Sequence, residues 1–214
     1  MIEGIQKMFR LKSKNFDSRK YWNNRYAKGG NSGCGSYNEF ALFKAEIINS
    51  FIKSKNIEDV IEFGCGDGNQ ISLINCKNYT GYDVSKKAIK ICSQKYKDCK
   101  SKNFFLIDQY QPRKVQLTLS LDVIFHLVED SIFENYMRLL FDSSYQYVLI
   151  YSSNFDKDPY GKKAIHVKHR RFTDWVSKNI KSWKLAQVIH NKYPYFGDYR
   201  KGSFSDFYIY ETME

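Results

Sequence analysis

The chain has 214 residues, of which 43% are hydrophobic and 27% are charged. This balance is typical of a folded globular protein and excludes a largely disordered chain, and the longest apolar runs are far shorter than the roughly 20 residues that a membrane span needs. The net charge of +11 predicts a surface that attracts anions, although a composition rich in Lys and Asn can also reflect the source genome.

The N-terminus carries neither the continuous apolar stretch nor the small-residue cleavage site of a secretory signal, so we expect a cytoplasmic protein. The five cysteines are scattered without a CxxC pair, which argues against a zinc site and against a disulfide framework. We therefore expect reduced thiols, no bound metal and a single domain over residues 1–214.

Apolar runs rich in β-branched and aromatic residues alternate with longer amphipathic segments, which predicts βαβ units around a mostly parallel sheet. Helices are predicted at Tyr37–Ser54, Asn69–Ile74, Ser85–Tyr96, Asp130–Phe141 and Arg171–Asn179. The seven predicted strands are Asp59–Phe63, Tyr79–Asp83, Phe104–Ile107, Leu117–Ile124, Gln146–Tyr151, Trp183–His190 and Phe204–Tyr210. Ser85 and Asp130 are predicted N-caps, because their side chains can accept hydrogen bonds from the first helical turn.

The segment from Val60 to Asn69, VIEFGCGDGN, predicts a buried strand that runs directly into a glycine-rich turn. Only a residue without Cβ lets the backbone turn so tightly and approach a ligand closely. We expect a helix N-terminus directly after the turn, with free N–H groups that bind an anionic moiety. Glu62 and Asp67 are expected to face an ammonium group.

Two further carboxylates end the next strands. Asp83 closes the second strand, where a carboxylate can accept hydrogen bonds from both hydroxyls of a ribose. Asp108 follows the third strand at the same edge of the sheet and can accept a hydrogen bond from an adenine amino group. The glycine-rich turn alone is weak evidence, since nicotinamide and flavin enzymes place GxGxxG at the same point.

The pattern in this chain is ExGxGxG rather than GxGxxG. Together with the acids that end the second and third strands, it resembles the class I S-adenosylmethionine-dependent methyltransferases. The resemblance covers most of the chain and implies an α/β, Rossmann-like, seven-stranded and mostly parallel sheet, with an antiparallel last strand and helices on both faces. It also implies S-adenosyl-L-methionine as the cofactor and methyl transfer as the reaction.

The resemblance implies cofactor-binding residues for each part of S-adenosylmethionine. The methionine end is assigned to Glu62, Gly64, Cys65, Gly66 and Gly68, the ribose to Asp83 and Val84, and the adenine to Asp108 and Gln109, while Leu121 and Asp122 complete the site.

The resemblance extends, among bacterial methyltransferases of glycan and small-metabolite pathways, to the segments YWNNRYAKGGNSGCGS and HVKHRRFTDWV. The first belongs to an expected lid, residues 1–37, and contributes Tyr21, Trp22, Arg25 and Tyr26, with Arg25 pairing with the cofactor carboxylate. The second belongs to an expected substrate-side loop, residues 153–170, and its continuation. It groups side chains that suit phosphate or simply form a solvated basic face: His166, Lys168, His169, Arg170 and Arg171. Further aromatic candidates for the cleft wall are Tyr160, Tyr193 and Tyr195.

The fourth strand and the residues after it are expected to line the acceptor side. Ligands of open α/β sheets bind beyond the carboxyl ends of the strands, which places the segment from Ser120 to His126 beside the methyl group. His126 is the candidate general base, because an unperturbed histidine pKa of about 6.5 suits proton transfer near neutrality. A purely structural histidine at a helix start is the alternative.

The expected acceptor is a small anionic, phosphorylated or sugar-type molecule that is methylated on oxygen. RNA is an alternative acceptor, favoured by the positive charge and the many aromatic residues. Against nucleic acid, no (D/N)PP(Y/F) segment follows the fourth strand and no Pro-Cys nucleophile is present. A non-catalytic S-adenosylmethionine-binding module is the second alternative, and the sequence leaves the oligomeric state open.

Overall fold

The computed structural model describes residues 16–161 and 164–213. Its centre is a seven-stranded sheet with the strand order β3-β2-β1-β4-β5-β7-β6. The strands are β1 Asp59–Phe63, β2 Asn78–Asp83, β3 Lys102–Leu106, β4 Val115–Leu121, β5 Ser144–Ser152, β6 Trp183–Ile189 and β7 Asp206–Thr212. Strand β7 runs antiparallel to both of its neighbours, and the other pairings are parallel. The predicted α/β, Rossmann-like sheet with an antiparallel last strand is confirmed.

Helices cover both faces of this sheet. They are α1 Ser18–Ala27, α2 Asn38–Lys55, α3 Lys86–Lys95, α4 Asp130–Asp142 and α5 Phe172–Asn179. Short 3₁₀ turns occur at Cys34–Ser36, Gln70–Leu73, Ile107–Gln109 and Ile124–His126. Within the described residues, no helix combines the length and the apolar character that crossing a membrane requires.

Strand β1 shows why the sheet needs helices on both faces. Ile61 and Phe63 pack into the apolar cluster that includes side chains of α4 and α5, whereas Val60 packs into the cluster under α2. A parallel strand covered on both sides becomes an almost continuous apolar run, as β1 is. Glu62 is the exception, a buried carboxylate within that run.

Two predicted elements end differently in the structure. The helix predicted at Asn69–Ile74 is only the 3₁₀ turn Gln70–Leu73, where Ser72 donates from both its backbone N–H and its hydroxyl to the carbonyl of Asn69. Such local bonds compete with the i→i+4 pattern of an α-helix. The helix predicted directly after the glycine turn is therefore a short 3₁₀ helix and not an α-helix.

Strand β4 ends at Leu121 rather than at Ile124. Asp122 adopts a left-handed backbone conformation with φ +57°, which breaks the extended chain. Strand β7, between β5 and β6, begins at Asp206, two residues later than predicted. The backbone N–H of Ser205 donates to the Ser203 hydroxyl and forms a turn before the strand.

The two predicted helix caps have opposite outcomes. The Ser85 hydroxyl accepts a hydrogen bond from the backbone N–H of Ala88 and caps α3, as predicted. Asp130 is the first residue of α4 rather than its N-cap, which is Glu129. Its carboxylate instead pairs with Lys168 and Arg170, which come from the loop after β5.

Candidate active site

A cleft opens beyond the carboxyl ends of β1, β2 and β4. Its floor follows the glycine turn after β1, and α1 together with Ser32 and Ser36 forms its roof. The sequence-predicted site residues that line it are Tyr26, Glu62, Gly64, Cys65, Gly66, Asp83, Val84, Leu121, Asp122 and His126, and Trp22 of the expected lid also lines it. This position is the one expected for a ligand of an open α/β sheet.

The glycines at 64 and 66 leave no room for a side chain. A Cβ on Gly64 would lie 2.4 Å from a methyl group of Val123. A Cβ on Gly66 would lie 2.3 Å from the hydroxyl oxygen of Ser32 and 2.8 Å from the hydroxyl oxygen of Tyr26. The backbone φ of Gly66, +57°, also favours glycine. The roof of the cleft therefore comes into direct contact with the glycine turn.

Gly68 lies outside the cleft lining. A Cβ at this position would meet Cys92 of α3 at 2.9 Å, and the Gly68 carbonyl accepts a hydrogen bond from the Tyr96 hydroxyl at 2.7 Å. Its part in the structure is to let the turn pack against α3. All five cysteines belong to the described residues and are free thiols.

Asp83 anchors the glycine turn to the end of β2. One carboxylate oxygen accepts from the backbone N–H of Gly66 at 3.0 Å, and the other accepts from the backbone N–H of Ser85 at 2.8 Å. Burial raises the pKa of Asp83 to about 6, against these backbone donors. Each oxygen keeps a second lone pair that can accept a hydrogen bond from a ligand hydroxyl.

Glu62 is the most deeply buried carboxyl group of the cleft. The Tyr79 hydroxyl donates to it at 2.6 Å, while burial raises the pKa of Glu62 to about 7 despite that bond and the nearby charge of Lys44. The group therefore titrates close to neutrality and is ionised only in part at pH 7.

Asp122 is held from below by a fully buried lysine. Lys44 of α2, with an exposed fraction of 0%, donates to one carboxylate oxygen at 2.8 Å, and the Ser205 hydroxyl donates to the other at 2.9 Å. Such a buried pair fixes geometry more than it adds stability. The left-handed Asp122 and the residues after it are thus held at the edge of the cleft.

The residues expected around adenine lie at the margin of the cleft. Arg19 of α1 forms a bidentate ion pair with Asp108, with both N–O distances 2.7 Å. The Gln109 side chain accepts from the backbone N–H of Leu106 at 3.0 Å and so caps its own turn. Arg19, Val84 and Ile107 line the cleft in this region.

Asp67 ties the glycine turn to the roof, although it was expected to face an ammonium group. Its carboxylate accepts from the backbone N–H of Ser32 at 2.9 Å, the Tyr37 hydroxyl at 2.8 Å and the backbone N–H of Asn69 at 3.1 Å. The bond to Ser32 holds the glycine-rich segment 28–36 against the turn.

His126 lines the cleft with a defined tautomer. Its Nδ1 lies 2.9 Å from the carbonyl oxygen of His166, which can only accept, so Nδ1 carries the proton and Nε2 carries a lone pair. Burial lowers the pKa of His126 to about 4, and the charge of Arg25 acts in the same direction. Trp22 packs edge-on against the ring at 4.9 Å between centroids.

Arg25 does not line the cleft beside the glycine turn, where pairing with a cofactor carboxylate would require it. Its Nε donates to the carbonyl of Asn31 at 2.7 Å, and the guanidinium lies over Trp22 at 5.6 Å. Its charge contributes to lowering the pKa of His166, an effect that burial dominates. Arg25 thus belongs to the His126 side of the site.

The basic cluster at His166–Arg171 is not arranged as a phosphate site. Arg170 donates to the carbonyls of Leu127 and Val128 at 2.7 and 2.9 Å and to Asp130 at 2.8 Å, and Lys168 donates to Asp130 at 2.6 Å. These groups were expected to bind an anion, but their donors already hold the loop onto the start of α4.

The remaining expected acceptor-side residues are aromatic packing partners. Tyr21 stacks on His166, with ring centroids 4.8 Å apart, at the mouth beside His126. His169 lies 2.7 Å from the Ser153 hydroxyl and packs against Phe155. Tyr160 packs against Tyr195 and lies outside the cleft lining.

Several residues of the cleft were not predicted from the sequence. Arg19, Ser32, Gln70, Ile132 and Tyr136 line the cleft, and Lys44 supports it from below. Gln70 lies two residues beyond the last glycine of the motif, so its closeness to the turn offered a signal. The others come from segments whose approach to the turn depends on tertiary packing.

Comparison with known proteins agrees with this architecture. Residues 61–145 match a family model described as a methyltransferase domain. These residues contain the glycine turn, Asp83 and His126. No curated protein sequence matches the chain significantly.

Solved structures share the fold at low sequence identity. The N-methyltransferase NodS from Bradyrhizobium japonicum WM9, in complex with S-adenosyl-L-homocysteine, aligns with a TM-score of 0.70 and 13% identity over 93% of this chain and 100% of that chain. Magnesium protoporphyrin IX methyltransferase from Synechocystis PCC 6803 with bound S-adenosyl-L-homocysteine gives 0.65 and 15%, over 91% and 97%. The methyltransferase domain of bacterial CtHen1 gives 0.62 and 17%, over 80% and 97%.

Proposed function

Because the chain is an S-adenosylmethionine-dependent methyltransferase with the class I fold, we propose that it methylates a hydroxyl group of a small anionic acceptor, with His126 as the general base. The observation that carries this proposal is the position of His126 in the cleft with Nδ1 bonded to a carbonyl and Nε2 available as an acceptor. A phosphorylated or sugar-type molecule with a free hydroxyl fits this description.

The cleft residues fit the cofactor. The glycine turn provides a surface that no side chain obstructs, and Asp83 offers carboxylate lone pairs to ribose hydroxyls at the end of β2. Glu62 offers a partly ionised carboxyl group to a cationic moiety near the end of β1. When bound, S-adenosylmethionine supplies an electrophilic methyl group on a sulfonium, and the protein aligns the acceptor with it.

His126 is suited to accept the proton of an acceptor hydroxyl. Its lowered pKa keeps the ring neutral at physiological pH, and the bond from Nδ1 to the His166 carbonyl orients Nε2. A proton taken up at Nε2 leaves a charged imidazolium, which the same carbonyl stabilises through Nδ1–H. An anionic acceptor nearby raises the pKa of His126 towards neutrality and so improves the match between base and acceptor.

Arg25 supports the anionic character of the acceptor. In residues 16–161 and 164–213, no carboxylate forms an ion pair with its guanidinium, whose Nε is bonded only to the Asn31 carbonyl. Its position beside Trp22 and close to His126 places an uncompensated positive charge at the acceptor side of the cleft. We assign Arg25 to the acceptor rather than to the cofactor carboxylate.

The test compares His126→Gln with the wild type at saturating cofactor, measuring release of S-adenosyl-L-homocysteine with phosphorylated and non-phosphorylated hydroxyl acceptors. We expect a loss of roughly 10²–10⁴-fold in kcat. The wild-type kcat/KM for the acceptor should stay flat from pH 8 to pH 6 and fall only as the pH drops towards about 4, where His126 becomes protonated.

His190→Gln is the matched control, because the side chain of His190 is 85% exposed and lies outside the cleft lining. It should retain full turnover. Unchanged turnover of His126→Gln at every pH, with cofactor binding intact, would remove His126 from the mechanism. RNA-dependent turnover with a steep loss of RNA affinity in salt would instead identify a nucleic-acid acceptor.

A further inference from the structure

Gln70 presents an unpaired hydrogen-bond acceptor in the cleft. It opens the 3₁₀ turn after the glycines, lines the cleft, and has an exposed fraction of 5%. Its Nε2 donates to the carbonyl of Ala41 in α2 at 3.0 Å, which fixes the orientation of the amide. Its Oε1 has no hydrogen-bond partner within the described part of the chain.

The donors described above around the cleft floor are already bonded to carboxylates and do not pair with Gln70 Oε1. The Tyr79 hydroxyl is bonded to Glu62, and Lys44 and the Ser205 hydroxyl are bonded to Asp122. A buried acceptor left without a donor costs about 1–3 kcal/mol, so native structures pair nearly all of them. A donor carried by a ligand in the cleft would satisfy this acceptor.

The location of Gln70 selects among the donors of the cofactor. The ribose hydroxyls and the adenine amino group belong to the side of Asp83 and Ile107, at the ends of β2 and β3. Gln70 instead contacts α2, on the side of the turn that leads away from those strands. The remaining donor is the α-ammonium group of the methionine moiety, and buried Glu62 also lines this cleft.

We propose that Gln70 Oε1 accepts a hydrogen bond from the α-ammonium group of S-adenosylmethionine and makes the site selective for ligands that carry an amino acid moiety. This rests on the proposed function, since it assumes that the cleft holds this cofactor. A hydrogen bond to a charged donor contributes more than one between neutral groups.

The test measures the dissociation constants of two ligands by calorimetry. S-adenosyl-L-homocysteine carries the ammonium group, whereas 5′-methylthioadenosine shares the nucleoside and sulfur but lacks the amino acid moiety. Gln70→Met should weaken S-adenosyl-L-homocysteine by roughly 10–100-fold and 5′-methylthioadenosine by less than about threefold. Gln187→Met, an exposed position on β6, is the matched control and should change neither constant.

If Gln70→Met does not fold, the same two dissociation constants are measured for Gln70→Glu. Gln70→Glu keeps an acceptor oxygen in the cleft when its other oxygen is protonated and donates to the Ala41 carbonyl as Nε2 does, and it should preserve the preference for S-adenosyl-L-homocysteine over 5′-methylthioadenosine. Equal losses for both ligands in Gln70→Met, or a lost preference in Gln70→Glu, would overturn the assignment. Failure of the wild type to bind either ligand would contradict the cofactor site itself and not the role of Gln70 alone.

Discussion

Two buried carboxyl groups beneath the cleft titrate close to neutrality. Burial raises the pKa of Glu62 to about 7 and that of Asp83 to about 6, so both are more protonated at pH 5 than an exposed carboxyl group would be. A raised folded-state pKa also means that ionising these groups disfavours the ligand-free fold as the pH rises through this range. A ligand that donates hydrogen bonds to the carboxylates offsets that cost.

This titration predicts a pH-dependent affinity for the cofactor product. As the pH falls from 7 to 5, Asp83 gains a proton and loses the ionised form that accepts ribose hydroxyl groups. The affinity of wild type for S-adenosyl-L-homocysteine should fall by about tenfold over this range. Asp83→Asn should bind weakly at both pH values with a flatter profile, as measured by calorimetry, and a wild-type affinity that rises with acid would contradict this role.

Individual residues differ in how far the sequence could predict their place. Asp83 lies where it was predicted because it ends the apolar run of β2, a parallel neighbour of β1, so that it meets the glycine turn at the same edge of the sheet. Arg170 was not predictable, since the carbonyls and Asp130 that occupy its guanidinium lie about 40 residues away in sequence. Arg25 was assigned to the cofactor, yet its guanidinium lies over Trp22 and its charge acts on His126.

Among the elements, α1 is attached to the rest of the protein by polar contacts and by the aromatic packing of Tyr21 and Trp22 on histidines 166 and 126. Arg19 pairs with Asp108, the backbone N–H and hydroxyl of Ser18 donate to Glu129, and Asn23 accepts from the backbone N–H of Lys86. Only Ser18 and Tyr26 of this helix are buried. The polar sequence explains why α1 was not predicted as a helix, and we expect α1 to be the element that separates most easily when ligands enter.

Breaking the contact between Arg19 and Asp108 should therefore speed release of the ligand. The two side chains are about a quarter exposed, so the pair contributes about 1 kcal/mol. Arg19→Met should accelerate dissociation of S-adenosyl-L-homocysteine by about fivefold in stopped-flow experiments that follow tryptophan fluorescence. Lys77→Met, which breaks the exposed pair with Glu58, is the control and should leave the rate unchanged.

A double variant separates the two roles of Asp108. If Asp108 acts only through Arg19, Asp108→Asn should match Arg19→Met, and combining both changes should add nothing. A further loss of affinity in Asp108→Asn alone would show that the carboxylate also contacts adenine, as the sequence suggested. An unchanged dissociation rate in all three variants would contradict the lid role of α1.

At the scale of the whole molecule, the sheet was predictable because its apolar runs alternate with amphipathic segments along most of the chain. Parallel strands covered on both faces leave this clear pattern. The acceptor side was less predictable, since it combines α1, the turn Ile124–His126 and the loop after β5, which meet only in the folded chain. The net charge of +11 does not select an acceptor by itself.

The identity of the methylated product tests the proposed O-methylation most directly. The purified chain is incubated with S-adenosylmethionine labelled isotopically on the methyl group and a fractionated metabolite extract, and the labelled product is analysed by mass spectrometry and NMR. We predict a methyl ether on a small anionic molecule, formed by wild type and by His190→Gln but strongly reduced with His126→Gln. The proposal would be contradicted by label on nitrogen, on carbon or on nucleic acid. It would also be contradicted if the cofactor bound and no labelled product formed.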